Sequence, residues 1–144
     1  MSKLIIKLVF VVAITQLSQT AVANDCNSDS LSMYEERICT SKKAGDSSEE
    51  LKKKLQQLQS LISKVYLSEK SEAGEASSSE VLAAFKVSQQ AWAEFVQKEC
   101  DYIYQRSRGG TGTGAIQAAY RCSTDNNNAR IKVIEKEIAE LENL

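Results

Sequence analysis

The stretch Arg108–Cys122 reads RGGTGTGAIQAAYRC and holds four of the chain's six glycines, at Gly109, Gly110, Gly112 and Gly114. The chain contains no proline, and the segments on either side of the stretch have helical periodicity. Helices before and after the glycines must reverse direction, and glycine reaches the positive-φ conformations that such a reversal often uses. The stretch therefore predicts the turn of an antiparallel helical hairpin. Cys100 lies several residues before that turn and Cys122 several after it. They face each other across the hairpin, where a disulfide would staple the base of a glycine-rich loop.

The helices themselves are read from apolar spacing. Leu51, Leu55, Leu58, Ile62 and Val65 fall at steps of three and four, with lysines and glutamines between them. Ser47 and Glu50 fit a capping box, so a helix is expected over 47–69. Ser71–Ser79 is small and polar and reads as a connection. A second box, Ser77 with Glu80, opens a helix over 78–106 that carries Val81, Phe85, Trp92, Phe95 and Val96. Ile116, Ala119, Tyr120, Ile131, Ile134, Ile138 and Leu141 give a third helix. The polar insert Ser123–Asn128 contains poor helix formers, which would bend or interrupt that helix or sit on an exposed face. Ser32 with Glu35 suggests a further short helix over 31–43. The fold class is all-α, a small antiparallel bundle of three long helices plus a short N-terminal helix, with two disulfides.

The N-terminus has a separate character. Lys3 and Lys7 precede the short apolar run Leu8–Leu17, and Ala21-Val22-Ala23 is a small-residue cleavage pattern. That is the layout of a secretory signal peptide over residues 1–23. The run is short of the roughly 20 apolar residues that span a bilayer, so no stable membrane insertion is expected after cleavage. Residues 24–144 then form one domain. Without Lys3 and Lys7 the 18 basic residues become 16 against 19 acidic ones, a formal charge of −3. This balance gives no reason to expect nucleic acid as a partner.

Cys26, Cys39, Cys100 and Cys122 all lie in the exported part. Export and an even count imply disulfides. The local pairing, Cys26 with Cys39 and Cys100 with Cys122, is favoured, and crossed pairings that tie the N-terminal segment to the long helices stay open. A cysteine-only zinc site would need closer spacing than 13, 61 and 22 residues.

Catalytic arrangements are scarce. The absence of histidine excludes imidazole-based triads and metal ligands. Oxidised cysteines are poor nucleophiles. The glycines lack the Lys-Ser/Thr ending of a phosphate loop. No enzyme activity, cofactor or metal is expected. What remains is a displayed loop, with Arg106 and Arg108 just before the glycines and Thr111 and Thr113 among them. Together with Gly109 and Gly110 these are the candidate partner-binding residues. A stapled loop loses less entropy on binding than a free one, and arginine pairs bidentately with carboxylates.

Ser88-Gln89-Gln90-Ala91-Trp92, Phe95, Glu99-Cys100, Gly109-Gly110-Thr111, Cys122 and Arg130, in that order, resemble the LprI-like lysozyme inhibitor family. Its pattern is an alanine-glutamine-x-x-tryptophan stretch, an aromatic, a Glu-Cys pair, a Gly-Gly-Ser turn, a Cys and an Arg eight residues later. Cys26 and Cys39 suit its N-terminal cysteine pair. The chain departs from the pattern at Val96-Gln97, where the family usually has Arg-Asp, and at Asn127, where it often has Thr. The resemblance implies a small helical secreted or periplasmic protein that inhibits lysozyme-type cell-wall hydrolases. It marks Trp92, Glu99 and Arg130 as structural, with Arg130 bridging to Glu99 or capping a helix end. The competing readings are a periplasmic immunity or assembly partner that binds a non-lysozyme target through a helix face, and a small envelope stress protein.

Overall fold

The computed structural model describes residues 26, 30–68, 77–109 and 113–144. The expected signal peptide over 1–23 lies outside them, as do Gly110, Thr111 and Gly112. Three helices follow in order: α1 (Met33–Ser68), α2 (Ser78–Ser107) and α3 (Thr113–Glu142). All three pack against one another, most extensively α1 against α3.

The register is read from side chains that cross between helices. Glu36 pairs with Arg121, Asn127 reaches Ser47 and Ser48, and Lys54 meets Glu135. The numbers rise together, so α1 and α3 run parallel. Cys100 joins Cys122 and Gln89 meets Arg130, so α2 runs antiparallel to both. The start of α1, the end of α2 and the start of α3 therefore share one end of the bundle.

Two of the helices begin as the serine–glutamate spacing predicts. At Ser32 the backbone N–H donates to Glu35 Oε2 at 2.8 Å, and the Glu35 N–H donates back to Ser32 Oγ. Ser77 and Glu80 form the same reciprocal box at the start of α2. The hydrogen bonds from these serines hold both carboxyls below the usual carboxylate range. A depressed folded-state value means that the cap's contribution is present above the unfolded value and is lost as pH falls through the folded one. Both caps thus weaken in acid.

The third expected box does not exist. α1 runs unbroken from Met33 to Ser68, so there is no separate short N-terminal helix, and Ser47 sits buried in its middle. The weak helix formers at Gly45–Ser48 are held by tertiary contacts instead. Ser47 Oγ donates to the Ala44 carbonyl at 3.0 Å and accepts from Asn127 Nδ2 at 3.1 Å; the same amide donates to Ser48 Oγ at 3.1 Å. On the facing helix the Ser123–Asn128 insert does not interrupt α3, and it does not lie wholly exposed. Thr124 and Asn126 side chains donate to carbonyls four residues back, and Asn127 is only 5% exposed. Two segments with poor intrinsic helicity thus lie side by side and satisfy each other's polar groups.

The apolar core has two parts. Leu51, Leu58 and Ile62 of α1 pack on Ile131, Ile134 and Ile138 of α3, covered by Val81, Leu82 and Phe85 of α2. A smaller cluster joins Val96, Cys100 and Cys122. Trp92, half-buried, packs against both. Phe95 leaves the apolar face on which its spacing put it and is 57% exposed. The Cys100–Cys122 register sets Glu99 opposite residues about two turns before Arg130. Arg130 therefore does not bridge to Glu99; its Nε donates to Gln89 Oε1 at 3.1 Å.

Asn127→Ala removes a buried amide that two hydroxyls accept from, and is expected to destabilise by about 1–3 kcal/mol. The exposed Asn128→Ala is expected to change stability by under about 0.5 kcal/mol. Urea unfolding of the two variants measures the difference. Gly45 lies in mid-helix with open space where a β-carbon would stand and no positive φ. Gly45→Ala is expected to raise stability by roughly 0.5–1 kcal/mol in the same experiment.

Candidate functional site: the stapled end of the bundle

The structure joins Cys26 to Cys39 and Cys100 to Cys122, with Cα separations of 5.4 and 5.6 Å. Both links lie toward the end where α2 passes into α3. The second holds the last turns of α2 to the first turns of α3, below the glycine segment. The first fastens residue 26 to the second turn of α1.

The last turns of α2 and its cap present two tyrosines, Tyr102 and Tyr104, followed by two arginines. Arg106 lies over the Tyr102 ring at 5.6 Å from its centroid, and Arg108 over the Tyr104 ring at 5.8 Å. Arg108 Nη1 also donates to Gln105 Oε1 at 3.2 Å. These are pairs four residues apart, which neighbour each other on a helix. An exposed ring–guanidinium contact is worth about 0.5–1 kcal/mol, enough to bias each long side chain toward one direction. Because α1 runs parallel to α3, its first turns reach the same end with a third such pair, Arg37 over Tyr34 at 5.9 Å. Sequence reasoning missed Tyr34 and Arg37. Their signal was the Tyr-x-x-Arg spacing, but only the parallel packing brings it beside the tip.

None of Arg37, Arg106 and Arg108 has a carboxylate partner among the described residues. The acids nearest in sequence to Arg37 are occupied: Glu35 by Ser32 and Glu36 by Arg121. Met33 and Tyr34 are 75% and 65% exposed, and Tyr102 58%. Beside them Ile38, Ile116 and Tyr120 line an open groove between α1 and α3, rimmed by Arg37 and Lys42. A smaller cleft of about 280 Å³ lies against the Cys26–Cys39 link, and Lys43, Glu36, Arg121 and Asp125 line it. This end thus offers exposed aromatic and aliphatic area beside three arginines, Arg37, Arg106 and Arg108, that are not ion-paired among the described residues. Tyr, Met and Arg are the residues enriched where proteins bind proteins.

The predicted site residues are brought together only in part. Arg106, Arg108 and Gly109 lie at the same end of the bundle and are all exposed, with the two arginines on opposite sides of α2. Gly109 and Gly114 take no positive φ, and a β-carbon at either would meet open space. Arg108 caps α2 in right-handed helical geometry, its N–H reaching the Gln105 carbonyl. The reversal thus makes no use of left-handed backbone at those two glycines. Thr113 opens α3. Gly110 and Thr111 lie outside the described residues. Trp92, Glu99 and Arg130 stand well below the tip, on the body of the bundle.

The family described as lysozyme inhibitor LprI matches residues 23–134, most of the chain. This chain belongs to the LprI lysozyme inhibitor family. No curated protein and no solved structure matches it. The LprI match takes in all four cysteines and the whole stapled end. Two disulfides and membership of LprI are consistent with a protein outside the cytoplasm, and no described helix is long and apolar enough to cross a membrane.

Cys100→Ser with Cys122→Ser removes the link that holds the tip. In the chain-entropy account a loop of this size is worth roughly 3 kcal/mol. The double variant is expected to melt several degrees lower and to lose hydrogen-exchange protection first at the end of α2 and the start of α3. Heat unfolding and exchange measured on the same samples test this.

Proposed function

We propose that this protein is a secreted or periplasmic inhibitor of lysozyme-type cell-wall hydrolases, exported by residues 1–23 as a signal peptide and active as one domain over 24–144. The observation that carries the reading is a set of three arginines, held on tyrosine rings at a disulfide-stapled end, with no carboxylate partner among the described residues. Family membership supplies the target class.

Such a hydrolase works with two carboxyl groups flanking the scissile bond of its substrate. A guanidinium that enters the cleft pairs with them through charge-assisted, often bidentate hydrogen bonds. It then occupies the place of sugar. The protein's part is positional and needs no bond-making step. Arg106 and Arg108 stand closest to the glycine segment and are the residues that enter. The tyrosine rings under them reduce the number of orientations that must be lost on binding. Gly109, Gly110, Thr111 and Thr113 follow them in sequence and are the further residues proposed to meet the target, small side chains that add little bulk. The net negative charge of the exported chain assists approach to a cationic hydrolase, most strongly at low salt.

The test is cell-wall lysis by purified lysozymes of several types in the presence of the purified protein. The wild type is expected to suppress lysis by at least one type. Arg106→Ala with Arg108→Ala is expected to weaken inhibition at least about tenfold, the scale of one lost anchor residue, with an unchanged melting temperature. No protection at micromolar excess against any type would remove the reading.

A further inference from the structure

We propose that the outward face of α2 is the interface of a homodimer in which two copies pack this helix antiparallel about a two-fold axis. At 100° per residue Ala84, Val87, Ala91, Phe95, Lys98 and Tyr102 fall within an arc of about 80° on α2. The buried residues of the helix, Val96 and Cys100, lie on its other side. Val87 is 68% exposed, Phe95 57% and Tyr102 58%, and Ala84 and Ala91 are exposed between them. A continuous apolar stripe of this kind on a polar helix marks a contact surface.

The occupant is indicated by how the stripe and its charges match themselves. In an antiparallel pair centred at the height of Val96, Phe95 of each copy lies within one turn of the axis, so the two rings meet at the middle. Ala91 of one copy stands opposite Tyr102 of the other, small against large, and the reverse contact repeats on the far side. Glu94 of one copy stands opposite Lys98 of the other, again twice. Among the described residues of its own chain Glu94 takes an exposed hydrogen bond from Gln90 and no ion pair. The Lys98 stem lies along the apolar stripe while its ammonium reaches the edge. A parallel pairing would instead set each charge level with its own copy. Self-complementarity of this sort is what an isologous two-fold interface requires.

A contact built on one helix face is at the small end of specific interfaces, so dissociation in the micromolar range is expected. The contact covers Tyr102 but leaves the first turns of α1 and α3 and Arg108 outside it, and the antiparallel arrangement points the two tips in opposite directions. This inference does not depend on the inhibitor reading.

Sedimentation equilibrium of the purified, disulfide-intact protein tests it. The average mass is expected to rise from one chain toward two between low- and high-micromolar concentration. Phe95→Asp is expected to stay monomeric with an unchanged melt, because the ring is exposed in the single chain. Glu94→Lys is expected to weaken association about tenfold, and adding Lys98→Glu in the same chain to restore it. A wild type that remains monomeric at high-micromolar concentration, a dimer that persists in Phe95→Asp, or a swap that fails to restore association would each overturn the proposal.

Discussion

The fold depends on one buried amide. Asn127 donates from a single nitrogen to the hydroxyls of Ser47 and Ser48, across the seam between α1 and α3. Both partners lie where the chain is least inclined to be helical. Had either segment broken, the bundle would have more and shorter helices, and the start of α1 would be free to point elsewhere. With the polar groups matched in the seam, both helices continue and run parallel for their whole shared length. Burying an unpaired amide costs of order 1–3 kcal/mol, so the alternatives are disfavoured twice: the helices stop, or their polar side chains go unsatisfied. The amide is therefore a register device as much as a stabilising contact.

From that seam the molecule divides. Toward the end where α1 and α3 finish, the core is made of leucines and isoleucines and needs no covalent help. Toward the other end the apolar cluster shrinks to Val96 and a cystine. Disulfides, the Glu36–Arg121 pair and the ring–guanidinium contacts take over there. An end that leaves tyrosine and methionine exposed has few apolar side chains left to bury. Covalent links restore the order that a larger core would otherwise supply. The division explains why both links lie at the end that carries the exposed aromatics.

Much of the fold is legible in the sequence, because it rests on local signals. Two serine–glutamate boxes start helices where their spacing says, and the three apolar stripes are the ones that meet in the core. The glycine segment separates α2 from α3, and the cystine across it follows from the hairpin. The misses share a cause. Ser47 looks like a cap, and Ser123–Asn128 looks like a break, when each is read without the other, since tertiary pairing overrides weak propensity. Arg130 is given the wrong partner because the choice between Glu99 and Gln89 depends on a register that only the assembled helices define. For the site, Arg106 and Arg108 are readable from their place beside the glycines. Tyr34 and Arg37 are not, since their nearness to the tip comes from α1 running alongside α3, which no local pattern encodes.

The central claim is that the stapled end is the surface that meets the target. Hydrogen exchange of the protein with and without a lysozyme that the lysis assay finds it to inhibit tests that most directly. The account predicts slowed exchange in the last turns of α2, the first turns of α3 and the first turns of α1, with the leucine–isoleucine half unchanged. Slowed exchange confined to the far half of the bundle, with the stapled end unaltered, would contradict it.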